Sequence, residues 1–207
     1  MNPPVKNINS EMIIETTLQM IDKNEGIKGV TLRAIAQKLG CAHTNLYNYF
    51  GSLEEIYWEC VGLLLQKMTE EMSREDPDVS DPDVSDPEEK LYMSFSRLAD
   101  FSIDHPGWHR LIWLEPATGS PSPEVAQKLQ QPTLVFGRLV FAASKGTLSD
   151  DKLSQLCSIL LCYLYGEINM WITRRNSAED RTLMKTKTLE NLRLLYRLFS
   201  EDSRKVK

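Results

Sequence analysis

Two short helices separated by a fixed link constrain this chain more than any other feature. Leu32, Ile35, Ala36 and Leu39 fall at i, i+3, i+4 and i+7, the spacing that lays one apolar stripe along a helix. Gly40 follows and is free to take the positive φ that ends a helix. The link Leu39-Gly40-Cys41-Ala42 leads into a shorter helix, predicted from about Ala42 to Phe50. A unit of this kind sets its second helix steeply across the first. Leu46 and Phe50, at i and i+4, use up one face of the short helix and close the interior with Leu39. The other face is left to His43, Thr44, Asn45, Tyr47 and Asn48, and no residue from Ala42 to Phe50 is Lys or Arg.

The rest of the chain punctuates itself in the same helical way. Alternating β-branched runs and Asn-Gly hairpins are absent, so an all-α fold of about nine helices is predicted. A first helix reads from about Asn9 to Asn24, and the second starts at Thr31. The fourth opens with Ser52-Leu53-Glu54-Glu55, a capping box. Residues 76–89 carry the unit Asp-Pro-Asp-Val-Ser twice and seven acidic residues, which predicts an acidic loop. Asp86-Pro87-Glu88-Glu89 restarts a helix that ends by His105, and Pro106-Gly107 breaks the chain before a short helix from Trp108 to Leu114. Further helices are expected from about Pro123 to Ser144 with a kink at Pro132, from Asp150 to Arg175, and from Ser177–Asp180 to about Phe199. Two domains follow: residues 1–54, built around the helix-turn-helix, and a larger helical bundle over residues 55–207.

Composition narrows the function. Net charge is −5, but residues 51–100 carry four basic and fourteen acidic residues while residues 1–50 carry five and four. The acid excess therefore spares the N-terminal domain. Cys41, Cys60, Cys157 and Cys162 form no CxxC pair and read as small apolar residues of a reducing compartment. There is no uninterrupted apolar run of about 18 residues and no apolar signal core, so no membrane segment and a cytoplasmic location are expected. No glycine-rich phosphate loop, nucleophile elbow, HExxH or paired-carboxylate motif is present, which speaks against an enzyme. His105 and His109 are four apart, but Pro106 and Gly107 lie between them, so no metal or cofactor is expected.

An outward strip of neutral donors and acceptors suits the major groove of DNA, where base edges are read by amides and hydroxyls as well as by arginine. Asn45 can pair with adenine, and Thr44 can bond a base edge or touch a thymine methyl. Tyr47 can donate to a phosphate, with cationic support from Lys28, Arg33 and Lys38 on the flanks.

The residues Thr31-Leu-Arg-Ala-Ile-Ala-Gln-Lys-Leu-Gly40, then Leu46-Tyr-Asn-Tyr-Phe50, Ser52 and Glu54-Glu55, resemble the N-terminal signature of the TetR (tetracycline-repressor-like) regulators over about residues 8–60. The resemblance implies a transcriptional regulator, most often a repressor, that binds a palindromic DNA operator as a homodimer and is released by a small apolar or aromatic effector. It implies that Thr31 caps the second helix and touches phosphate and that Arg33 reaches phosphate or a base. It gives base edges to His43, Thr44 and Asn45, phosphates to Tyr47 and Tyr49, and leaves Asn48 on the same strip. Two positions depart from the signature: Ala42 stands where a Ser or Thr cap is usual, and Leu53 where a phosphate-contacting Lys is usual.

The resemblance also implies an effector cavity, for which Tyr92, Phe95, Trp108, Trp113, Phe136, Tyr163 and Met170 are candidate lining. It implies a dimer made by the last two helices, with Leu160, Leu164, Trp171, Leu192, Leu195 and Phe199 as candidates. Each lining candidate reads more readily as core of a single chain, and the two stripes can also pack inside one chain. The alternative to the DNA reading is a protein-interaction module that keeps the helix-turn-helix shape with little DNA binding.

Overall fold

A computed structural model describes residues 8–74, 86–115, 118–173 and 180–205. The described chain is all-helical: α1 (Ser10–Lys23), α2 (Leu32–Leu39), a 3-10 helix (His43–Asn48), α3 (Leu53–Ser73), α4 (Pro87–Asp104), α5 (Pro106–Trp113), α6 (Pro123–Ala143), α7 (Asp150–Thr173) and α8 (Arg181–Lys205). No strand occurs among the described residues.

Local chemistry sets most of these boundaries. Asn9 begins α1 by accepting the Met12 N–H at 2.8 Å. Thr31 begins α2 by accepting the Ala34 N–H at 3.2 Å, the capping role the resemblance implies. Gly40 ends α2 at φ 75°. The Cys41 N–H bonds to the Ala36 carbonyl and the Gly40 N–H to that of Gln37, the paired closure that satisfies the last carbonyls of a helix. At α3 the Ser52 hydroxyl accepts from the Glu55 N–H at 3.1 Å, but the Glu55 carboxylate reaches back one residue further than a capping box requires, to the Gly51 N–H at 2.6 Å. Ser122 accepts the Val125 N–H at the start of α6.

One expected boundary moves. Pro106-Gly107 does not break the chain; α5 starts at Pro106, because a first-turn proline lacks only a donor the helix never uses. The break shrinks to His105. Helix α6 continues through Pro132, which lies inside it. The acidic repeat expected as a loop falls mostly on residues 75–85, outside the described residues, as does the start expected at Ser177.

The chain divides into two compact units, residues 1–67 with 104–130, and residues 68–103 with 131–207. The first unit holds the helix-turn-helix and extends well beyond residue 54. Its core joins Ile13, Leu18 and Ile21 of α1 with Ile35 and Leu39 of α2, Leu46, and Ile56 of α3. Helix α5 lies hard against α1 in this unit: a Cβ on Gly107 would stand 2.2 Å from the Ile21 carbonyl oxygen. The Trp108 Nε1–H donates to the Leu18 carbonyl at 3.1 Å, and His105 pairs with Asp22 at 3.1 Å while its ring stacks on Trp108 at 3.7 Å. The second unit packs α4, the second half of α6, α7 and α8 around Phe95 and Phe136, whose rings lie 5.4 Å apart. Arg193 on α8 grips Glu89 on α4 through both carboxylate oxygens at 3.0 Å and lies 4.4 Å over the Tyr92 ring.

Helix α7 is long and apolar enough, by length and composition, to cross a membrane. Leu156, Leu160, Leu164, Ile168 and Ile172 form a buried stripe along it, while Ile159 and Met170 are left exposed.

Candidate nucleic-acid interface

The segment expected to read DNA is a 3-10 helix from His43 to Asn48, shorter and tighter than the α-helix predicted from Ala42 to Phe50. Its first residue explains part of this. Ala42 occupies the cap position and offers no side-chain hydrogen bond, so the opening turn is closed by the backbone alone, from the Asn45 N–H to the Ala42 carbonyl at 3.0 Å. Leu46 is fully buried and Phe50 nearly so, which fixes the rotation of the segment. Its outer face then carries His43, Thr44, Tyr47 and Asn48 exposed and Asn45 half-buried. None of these five side chains makes a hydrogen bond among the described residues. Tyr47 is 54% exposed, a large ring left in solvent.

Tyr49 behaves differently. Its hydroxyl donates to the Ile8 carbonyl at 2.6 Å, pinning the segment before α1 to the edge of the strip. The proton expected to go to a phosphate is already committed. Thr31 and Arg33 are exposed at the start of α2.

The loop from Asn24 to Val30, between α1 and α2, is held from outside at two points. The Tyr57 hydroxyl on α3 donates to the Val30 carbonyl at 2.8 Å, and the Glu115 carboxylate accepts from the Ile27 N–H at 2.9 Å. Burial, with help from Cys60, Glu115 and Glu54, pushes the Tyr57 phenol from 10.0 up to about 12, so it stays a donor throughout the physiological range. A group whose folded value is raised stabilises fully below its unfolded value and loses that stabilisation as pH climbs through the folded one. The window here runs from about pH 10 to about pH 12. Tyr57→Phe is expected to cost about 1–3 kcal/mol at neutral pH, by stranding the buried Val30 carbonyl, and to make the alkaline fall in stability shallower. Urea midpoints at pH 7, 10 and 11.5 check both effects.

A cavity of about 460 Å³ opens in the same unit, lined by Trp58, Val61 and Leu65 of α3, Leu111, Ile112 and Trp113 of α5, then Leu114, Glu115 and Leu129. Trp113 belongs to the expected effector lining and stands here 43% exposed. The other expected residues lie elsewhere. Trp108 is spent on fastening α5 to α1. Tyr92, Phe95 and Phe136 are buried core of the second unit. Tyr163 accepts a hydrogen bond from Asn191 at 2.7 Å, and Met170 is 45% exposed on α7. Trp58 and Glu115 are absent from the expected lining: Trp58 belongs to the apolar run Trp58, Val61, Leu65 of α3 and reads as core, and Glu115 lies just past the end of α5 with no periodic signal to mark it.

The expected dimer residues divide in the same way. Leu160, Leu164 and Leu192 are fully buried within the single chain and so are core, because nothing of them remains to be covered by a partner. Trp171, Leu195 and Phe199 are half-buried. The apolar residues that α7 and α8 leave exposed are Ile159, Met170, Leu183, Leu194 and Leu198. Among the described residues no three His, Cys, Asp or Glu side chains are grouped to hold a metal.

An all-helical chain with an N-terminal helix-turn-helix, an outward polar strip and a larger helical remainder defines a known class of fold. No family model and no curated protein matches the sequence. Solved structures do match. BioQ from Mycobacterium smegmatis is 19% identical at a TM-score of 0.63, over 94% of this chain and 99% of that one. A TetR-family transcriptional regulator from Streptomyces coelicolor is 14% identical at a TM-score of 0.70, over 94% and 87%. ActR from Streptomyces coelicolor is 15% identical at 0.66, over 98% and 100%. BioQ has also been solved with its natural double-stranded DNA operator, and ActR in complex with (S)-DNPA. The fold of this chain is that of the TetR-family transcriptional regulators.

Proposed function

We propose that the chain is a DNA-binding transcriptional regulator that reads a palindromic operator as a homodimer and responds to a small effector. The observation that carries the reading is the strip His43, Thr44, Asn45, Tyr47 and Asn48, exposed or half-exposed and without hydrogen-bond partners among the described residues, on a fold that BioQ, solved with an operator duplex, shares. In this reading Thr44 and Asn45 meet base edges, with His43 and Asn48 flanking them. Thr31, Arg33 and Tyr47 hold phosphates, and Tyr49 supports the strip by fixing residue 8. Residues 1–54 act on DNA, and residues 55–207 carry effector binding and dimerisation.

One short helix reads few base pairs, so a second copy is needed. Helices α7 and α8 supply the surface for it. Ile159, Gly166 and Met170 fall at i, i+7 and i+11 on one side of α7. Leu183, Leu194 and Leu198 fall at i, i+11 and i+15 on α8. Pairing of these stripes across a two-fold axis would cover apolar area that a single chain leaves in water.

The regulator acts as a repressor released by effector, and the ActR complex supports a ligand in this fold. Selection of bound sites from random duplexes tests specificity, palindromy and half-site spacing together. On the selected site, Asn45→Ala is expected to cost about 1–3 kcal/mol per half-site, and Tyr47→Phe less, with the dimer intact by ultracentrifugation. Unchanged affinity at fixed salt in both variants would count against the reading.

The uncapped Ala42 and the aliphatic Leu53 favour a second reading, an interaction module that keeps the shape but binds DNA weakly. The two readings separate on salt: true phosphate contacts make affinity fall steeply with ionic strength.

A further inference from the structure

We propose that the cavity on α3, α5 and α6 takes an aromatic cation, and that Glu115 both anchors its ammonium group and passes its arrival to the helix-turn-helix. The proposal rests on the regulatory reading above and names the chemistry of the effector.

Size and walls set the first half of the argument. A volume of about 460 Å³ lies within the range that holds small organic ligands. Trp58 and Trp113 bring two indoles to the lining, and the aliphatic residues beside them offer nothing polar to a neutral head group. Indole is also the side chain that attracts cations most strongly over its face.

Charge sets the second half. Glu115 is the one charged side chain among the lining residues. A ligand that fills the cavity strips water from this carboxylate. An anion would be repelled, a neutral ligand would leave the charge poorly compensated, and an ammonium would compensate it with charge-assisted hydrogen bonds.

The same carboxylate touches the DNA-reading part of the chain. Glu115 Oε2 accepts from the Ile27 N–H at 2.9 Å. A Cβ at Gly26 would lie 2.5 Å from Glu115 Oε1, so the missing side chain is what lets the carboxylate rest on the loop that leads into α2. An ammonium in the cavity competes for those oxygens and draws the carboxylate off the Ile27 amide. Helix α5, which ends at this point, is fastened at its other end to α1 by Gly107 and Trp108. Ligand and operator are therefore coupled through one side chain, and the coupling is reciprocal.

The test uses the full chain and three probes of matched shape: 2-naphthylmethylamine, 2-naphthylmethanol and 2-naphthoate. Calorimetry is expected to show the amine binding at least about 10-fold tighter than the alcohol, with naphthoate weakest. Glu115→Gln keeps an acceptor for the Ile27 N–H but loses the charge, and should erase that preference. Saturating amine should weaken binding to the selected operator by about 5-fold or more in the wild type and leave Glu115→Gln unchanged. If Glu115→Gln fails to fold, Leu129→Lys serves instead: it keeps Glu115, adds a positive charge at an exposed position of the wall, and should weaken the amine while sparing naphthoate.

Equal or tighter binding of the alcohol or naphthoate, a preference that survives Glu115→Gln, or no binding of any probe at millimolar concentration would overturn the site. Amine binding with unchanged operator affinity would overturn the coupling. Failure to select any duplex would sink the regulatory reading and with it the coupling, while the calorimetric preference would still decide the cation site.

Discussion

Gly107→Ala is expected to lower stability by about 3 kcal/mol or more, a large effect for one added methyl group. The methyl would stand 2.2 Å from the Ile21 carbonyl oxygen, 2.9 Å from its carbon and 3.1 Å from Asp22 Cα. All three are backbone atoms of α1, so no rotamer change makes room and the helices must separate. Separation would also strain the Trp108 bond to Leu18 and the His105 pair with Asp22. Gly137→Ala is the control: it sits inside α6 with nothing within 4 Å of an added Cβ, and it should stabilise by about 0.5–1 kcal/mol through helix propensity. Urea unfolding of both variants measures the contrast. A loss below about 1 kcal/mol at Gly107 would mean that α5 and α1 are not packed as closely as described.

Leu46→Ala is expected to cost about 2–5 kcal/mol and to abolish operator binding without touching a base. Leu46 is fully buried and supplies the main apolar anchor of a six-residue 3-10 helix that has no side-chain cap. Removing it leaves a cavity under the segment and frees it to rotate, so Thr44 and Asn45 lose their fixed direction. Hydrogen exchange should show residues 43–50 opening well before α1. Retention of operator affinity in a folded Leu46→Ala protein would show that the strip does not depend on this anchor.

The helices were legible because their signals are local. Thr31, Gly40 and Ser52 each act through backbone groups within a few residues, and the structure shows all three doing so. Ala42 carried a local signal as well, and the absent cap is matched by a 3-10 helix in place of an α-helix. The outward direction of His43, Thr44, Tyr47 and Asn48 followed from Leu46 and Phe50 alone, since two buried positions on so short a segment fix its rotation.

What lay beyond local reach went less well. The resemblance gives Tyr49 to a phosphate, whereas its hydroxyl donates to the carbonyl of residue 8, a contact that no local signal marks. Leu160, Leu164 and Leu192 carry the same periodic signal as an interface would, and burial inside one chain separates the two cases. The expected effector lining comprises six aromatic residues and Met170, of which Trp113 alone lines the cavity on α3, α5 and α6.

The sequence by itself determined which stretches are helical, where most of them start and stop, and which face of the 43–48 segment is turned outward. These depend on capping, periodicity and backbone freedom, whose range is one or two turns. Only the tertiary structure decided that Gly107 must be glycine, that Trp58 and Trp113 share a cavity, and that Glu115 reaches across 88 positions of chain to the Ile27 amide. Contacts between residues so far apart depend on how helices cross, and helix crossing leaves no periodic trace in the order of the amino acids.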